Sequence, residues 1–264
     1  MPLVRTADGC RLHVEVEGEG EPVVLISGIN GRADFWNRVR APLSERYRLV
    51  TFDQRGIGRS ERAAEPFTIE LMAADVLAIL DDLGLERAHV IGHSTGGAIA
   101  QTLAIDAPSR IDRLVLSGTW ARADFRFQLL FGTRLSVLER AGQGPYAALG
   151  QLLAYPPDWI NANELAIFAK LAEADRDEHE PVDVVAERIR MLLAFDRLSA
   201  LKEISARTLV LSARDDLIVP FTHAQTLARE IAGSRLAETQ GGHFFPALDA
   251  PAFARTVREF LEEA

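Results

Sequence analysis

Five short apolar runs constrain this chain more than any other feature: Val23-Val24-Leu25-Ile26, Leu49-Val50-Thr51-Phe52, Val90-Ile91, Leu114-Val115-Leu116 and Leu209-Val210-Leu211. None of them alternates with polar residues. A strand with one face in water alternates, so a run that is apolar throughout suits a strand covered on both faces, as in a parallel sheet. Parallel neighbours need a crossover connection, usually a right-handed one through a helix. Helical patterns duly fall between the runs. One opens at Thr68, carries Met72, Val76, Ile79, Leu80 and Leu83 on one stripe, and stops at Gly84. Another spans about Ser94 to Ala107 and stops before Pro108. The recurrence predicts an α/β fold with an open, mostly parallel sheet. Ahead of it, Leu12-His13-Val14-Glu15-Val16-Glu17 alternates behind the turn dipeptide Asp8-Gly9, which predicts an antiparallel hairpin with the residues around Val4.

The rhythm breaks after residue 118. From Thr119 to Ile204 there are only helical patterns, cut by Gly142, Gly144, Pro156-Pro157 and Pro181. This stretch reads as a helical cap, residues 119–204, inserted into a core made of residues 1–118 and 205–264. The core resumes with the strand Leu209–Leu211, a helix from about Thr222, a short strand near Leu236 and a last helix from about Ala250. A length of 264 residues suits one such domain with an insertion.

Charge and motif content narrow the partners. Lysine and arginine number 29 against 38 acidic residues, a net charge of −9, which argues against binding to nucleic acid or to an anionic membrane. No apolar run is long enough to span a bilayer, and the N-terminus lacks the pattern of a signal peptide. Cys10 is the only cysteine, so no intrachain disulfide forms, and a cytoplasmic, reducing location is expected. Gly56-Ile57-Gly58-Arg59-Ser60-Glu61 lacks the third glycine of a dinucleotide fingerprint, and neither a phosphate-binding loop nor H-E-x-x-H occurs. No cofactor and no metal are expected, and the partner is a small-molecule substrate. The oligomeric state stays open.

Gly92-His93-Ser94-Thr95-Gly96 matches G-x-S-x-G and stands between a buried run and a helix, the context that motif requires. A serine presented at so sharp a turn is strained, and side chains two residues either side would collide. Gly92 and Gly96 avoid that collision. The following helix aims free N–H groups at the serine, so Thr95 N–H is the first candidate oxyanion donor. The loop Ser27-Gly28-Ile29-Asn30-Gly31 follows an earlier strand, and Ile29 N–H is the candidate second donor.

A serine nucleophile needs a base. Of six histidines, His13 and His89 lie in strands, His93 is the variable elbow position, and His179 lies in the charged stretch Glu173–Glu180. His243 follows Gly241-Gly242 in a loop after the last short strand, where an imidazole can reach over the sheet edge. It is the expected base, with His223 as the alternative. The orienting acid belongs after the strand ending at Leu211, where Asp215 and Asp216 both stand.

Together these residues resemble the α/β-hydrolase superfamily over essentially the whole chain outside the cap. The pattern D-x-R-G-x-G-x-S is met by Asp53 through Ser60, G-x-x-D-x-x-V-P by Ala213 through Pro220, and the final G-G-H by Gly241-Gly242-His243. Two positions depart from it: Ser27 precedes Gly28 where the family has histidine, and Ala213 replaces a glycine. The resemblance implies an eight-stranded, mostly parallel sheet flanked by helices. It also implies Ser94 as nucleophile, Asp216 as acid, His243 as base, and Asp53 with Arg55 as a structural turn. Leu25–Gly28, Phe52–Gly56 and Tyr155-Pro156-Pro157-Asp158-Trp159 look like the aminoacrylate or carbamate hydrolases of pyrimidine breakdown, and the core is also similar to 3-oxoadipate enol-lactonases. A serine at the elbow argues against haloalkane dehalogenases and epoxide hydrolases, which need a carboxylate there. The implied activity is hydrolysis of a small or medium ester, lactone, amide or carbamate through an acyl-enzyme. C–C bond hydrolysis, perhydrolysis and ligand reception on the same fold are the alternatives. Trp120, Phe125, Tyr155, Trp159 and Phe244 are the candidate substrate-lining residues.

Overall fold

The computed structural model describes residues 3–62, 66–174 and 180–263. The alternating N-terminal stretch forms the expected antiparallel pair, β1 (Leu3–Arg5) and β2 (Arg11–Glu17). The five apolar runs lie in β3 (Glu21–Ile26), β4 (Tyr47–Phe52), β5 (Ala88–His93), β6 (Ile111–Ser117) and β7 (Arg207–Ala213). The short strand near Leu236 is β8 (Arg235–Thr239). They make one eight-stranded sheet in the order β1-β2-β4-β3-β5-β6-β7-β8, with every pairing from β4 to β8 parallel and β2 antiparallel to β4. Both faces are covered, as the runs require. Val24, Ile26, Val50, Val90, Leu114 and Leu116 enter one hydrophobic cluster, while Val23, Leu25, Leu49, Ile91, Val115 and Leu209 enter the other.

Helices α1 (Asn37–Ser44), α2 (Ile69–Asp82) and α3 (Thr95–Asp106) belong to the first half of the chain. Thr68 caps α2 by accepting the N–H of Leu71, and the helix stops before Gly84 at φ +65°. No pattern in the sequence announced α1, for it buries only Val39 and Leu43 and contains Pro42. Between β6 and β7 come α4 (Phe125–Ala141), α5 (Gln143–Ala154), α6 (Pro157–Ala162), α7 (Glu164–Ala174) and α8 (Val182–Ala194). The strands of chain entering and leaving this insertion meet in a bridge between Arg122 and Asp196. His179 and most of the charged stretch around it lie outside the described residues. Helices α9 (Phe221–Glu230), α10 (Phe245–Leu248) and α11 (Ala250–Leu261) complete the fold. Among the described residues no helix is long and apolar enough to cross a membrane.

The turn after β4 is held by polar groups. Asp53 accepts the N–H groups of Ala33 and Arg59, and buried Arg55 pairs with Asp75 and Asp8. The Arg55 hydrogen bond, helped by Thr6, holds the Asp8 carboxyl well below the usual carboxylate range, whereas burial pushes Asp75 up. That network presents the loop from Gln54 to Ser60 at the C-terminal edge of the sheet, where Gln54 meets the loop that follows β3.

Candidate active site

At the junction of β5 and α3, Ser94 has φ +55° and is the one non-glycine residue at positive φ among those described. Such backbone is strained for any residue with a side chain, and tight packing sustains it. A Cβ on Gly92 would stand 2.2 Å from the carbonyl oxygen of Gly96, and one on Gly96 would stand 2.1 Å from that of Ile26. No side chain fits at either place. The collision inferred from sequence therefore has named partners, one inside the elbow and one on β3.

Three side chains converge on the elbow. Ser94 Oγ lies 3.0 Å from His243 Nε2, and His243 Nδ1 lies 2.7 Å from Asp216 Oδ2. The second Asp216 oxygen accepts N–H bonds from Ile218 and Val219, both at 2.8 Å, so the carboxylate cannot swing away. Its neighbour Asp215 turns outward and accepts the N–H groups of Gly241 and Gly242. One aspartate thus meets the imidazole while the other ties down the loop that carries it. With Nδ1–H donated to Asp216, Nε2 is the nitrogen left to accept the Ser94 hydroxyl proton. All three residues are buried. His223 lies instead 3.4 Å from Asp124 at the start of α4.

Two groups that the sequence did not mark support His243. Its backbone N–H donates to the carbonyl of Ala154 at the end of α5, a backbone contact that leaves no trace in residue type. Its ring packs 4.9 Å from that of His93, which stacks on Phe35 at the same separation and bonds Ser117 through Nδ1. Burial, reinforced by the nearby His243, pushes the His93 pKa well below the usual imidazole range, so this ring stays neutral beside the other.

The two candidate oxyanion donors border the serine. A Cβ on Gly28 would stand 3.2 Å from Ser94 Cβ, which places the Gly28–Ile29 peptide against Ser94. Neither Ile29 N–H nor Thr95 N–H donates to an acceptor among the described residues. Thr95 N–H is one of the unpaired donors that begin any helix.

The aromatic candidates separate. Phe244 adjoins His243 and meets Tyr155 edge-on at 5.2 Å, and Tyr155 stacks on Trp159 at 4.3 Å, so an aromatic chain leads from the imidazole into α6. Trp120 is wholly buried and packs on Phe127 and Phe195 beneath the inserted helices. Phe125 is a correction. As the first residue of α4 it is 80% exposed, and Phe127 and Phe131 take the inward positions instead.

A family model described as the alpha/beta hydrolase fold matches residues 21–250. A protein of Caulobacter vibrioides that carries the name carbamate hydrolase RutD is 37% identical over 99% of this chain and 98% of its own length. A protein of the same name from Azorhizobium caulinodans is 36% identical over 100% of this chain and 99% of its own. Among solved structures, the enol-lactonase of Burkholderia xenovorans LB400 superposes with a TM-score of 0.90 at 27% identity, covering 99% of this chain and 100% of that one.

Proposed function

Since this chain belongs to the α/β-hydrolase fold family and is an enzyme of that fold, we propose that it transfers the acyl group of a small or medium ester, lactone, amide or carbamate to water. Ser94 is the nucleophile, His243 the base and Asp216 the orienting acid. The observation that carries this reading is the continuous relay from Ser94 Oγ to Asp216, 3.0 Å and then 2.7 Å, at a serine held with φ +55°. The relatives named for carbamate and enol-lactone hydrolysis agree with it.

In the proposed cycle His243 Nε2 takes the hydroxyl proton as Ser94 Oγ attacks the carbonyl carbon. The negative oxygen of the tetrahedral intermediate is met by Ile29 and Thr95 N–H. Collapse breaks the acyl bond, His243 protonates the leaving oxygen or nitrogen, and an ester to Ser94 remains. Water, deprotonated by the same imidazole, releases the acid and restores the serine. The insertion, residues 119–204, acts as the cap, with Tyr155, Trp159 and Phe244 lining the acyl pocket.

A fluorophosphonate probe tests the nucleophile: Ser94 is expected to be labelled, and Ser94→Ala to abolish labelling. Equal labelling of the variant would sink the assignment. Products from a panel of nitrophenyl esters, lactones and carbamates, identified by mass spectrometry, then define the bond cleaved. Labelling without turnover of any of them would favour a ligand receptor on this fold.

A further inference from the structure

Arg188, on α8, is 1% exposed, and its guanidinium reaches out of the inserted helices into the loop that borders Ser94. Nε donates to the Ile29 carbonyl at 2.7 Å, and one terminal nitrogen donates to Gln54 Oε1. Gln54 passes the restraint on, its side-chain amide donating to the Ser27 carbonyl at 2.9 Å and its backbone N–H to the Gly31 carbonyl at 2.8 Å. The Gly28 carbonyl accepts from Gly31 N–H at 2.9 Å. Every carbonyl from Ser27 to Ile29 is therefore committed. In a trans peptide the C=O of Gly28 and the N–H of Ile29 point in opposite directions. Anchoring the first on Gly31 fixes the aim of the second.

The charge is as unusual as the geometry. No carboxylate bonds to Arg188 among the described residues; its acceptors are neutral, and its remaining terminal nitrogen faces Met72 Sδ at 4.0 Å. Burial pushes its pKa down to about 10, which leaves it protonated at neutral pH. A buried cation with no anion bonded to it is costly to the resting protein, and a plain strut between α8 and the loop would be better made of apolar residues. The cost is offset in part at rest, by the field of Glu180 and by the face of the Phe67 ring 5.9 Å away, and further when more negative charge appears nearby. The oxyanion is such a charge, and it exists only along the reaction path.

We propose that Arg188 is a positioning residue for the oxyanion hole: with Gln54 it fixes the Gly28–Ile29 peptide and so aims the Ile29 N–H at the oxygen that becomes negative. The inference rests on the acyl-transfer reading above. It makes the inserted helices part of the catalytic apparatus, because α8 supplies the residue that aims the second donor.

The test compares Arg188→Met, Arg188→Lys and Gln54→Met with the parent protein, using uncharged p-nitrophenyl acetate and a trifluoromethyl ketone whose adduct with Ser94 mimics the intermediate. Removing an oxyanion donor outright costs about 10²–10³ in kcat, so loss of its support in Arg188→Met is expected to cost about 10- to 100-fold, with KM nearly unchanged. Affinity for the ketone should fall in step with kcat/KM. Lysine keeps the charge but not the fork, so partial recovery is expected in Arg188→Lys. Gln54→Met should lie between parent and Arg188→Met, and it serves as the readout if Arg188→Met fails to fold by circular dichroism. A raised KM with unchanged kcat would overturn the proposal in favour of a strut that only shapes the pocket. A loss seen with p-nitrophenyl hydrogen glutarate but not with the acetate would overturn it in favour of a receptor for an anionic substrate group. Failure of the probe to label Ser94 in the parent protein would remove the acyl-transfer reading itself, and this inference with it.

Discussion

Two adjacent aspartates with opposite tasks show how finely residue position matters here. Asp216→Asn would present an amide N–H where Nδ1–H now donates, turning the imidazole to the wrong tautomer, and is expected to cost on the order of 10⁴ in kcat. Asp215→Asn keeps an oxygen for Gly241 and Gly242 and should cost far less. Steady-state kinetics of both variants on one ester decide it, and the reverse order would reassign the acid. His93 gives a second residue-scale test, this time of stability. Its pKa in the folded protein lies below the usual 6.5. Above that value neither state carries the proton and the residue has no pH effect. As pH falls below it, the unfolded chain takes up a proton that the folded protein refuses, so stability declines by up to about 1.4 kcal/mol per pH unit. His223 is lowered too, mainly by burial, and acts in the same direction. Urea unfolding at pH 7 and 5.5 should show this decline in the parent protein and a shallower one in His93→Phe. Equal slopes would mean that His93 is not the linked group.

Elements carry the strain that single residues display. Helix α3 sits so close to β3 that a methyl group on Gly96 would overlap the Ile26 carbonyl, which is backbone and cannot rotate aside. Gly96→Ala is expected to cost more than about 4 kcal/mol or to prevent folding, among the largest effects a single substitution produces. Thr68→Ala removes only the cap of α2 and should cost about 1 kcal/mol. Thermal melting of the two variants provides the comparison, and similar melting temperatures would refute the packing argument. Elements also differ in how readily they could be read. The strands β3 to β7 were legible because burial on both faces demands unbroken apolar runs, and α2 because its stripe, cap and terminal glycine agree. Helix α1 was not, since it lies at the surface on a two-residue stripe.

For the whole molecule, the inserted helices border His243. Ala154 at the end of α5 holds His243 N–H, and Tyr155, Trp159 and Phe244 form an aromatic chain beside it. On the acyl-transfer reading proposed above, a pocket bounded in this way should favour short chains. In a series of p-nitrophenyl esters kcat/KM is expected to decline beyond medium acyl length, and a maximum at the longest chains would indicate an open groove instead. Much of this was determined by sequence alone. Gly92-His93-Ser94-Thr95-Gly96 between a strand and a helix, Gly241-Gly242-His243 after the last strand, and the aspartate pair after β7 are local patterns, and local backbone geometry restricts which residues can occupy them. Phe125 shows the limit, because an aromatic residue in a helix reads alike whether it faces the site or the solvent. The residues left Asp215 and Asp216 open and the family resemblance implied Asp216, the one that meets His243; tertiary structure alone decided that Ala154 and Phe35 pack against His243 and its neighbour His93, and that Arg188 joins Gln54 at the Ile29 loop. Those contacts link residues far apart in the chain, several of them through backbone atoms that every residue possesses. No residue type or spacing encodes such a meeting; only the packed arrangement of sheet and inserted helices brings it about.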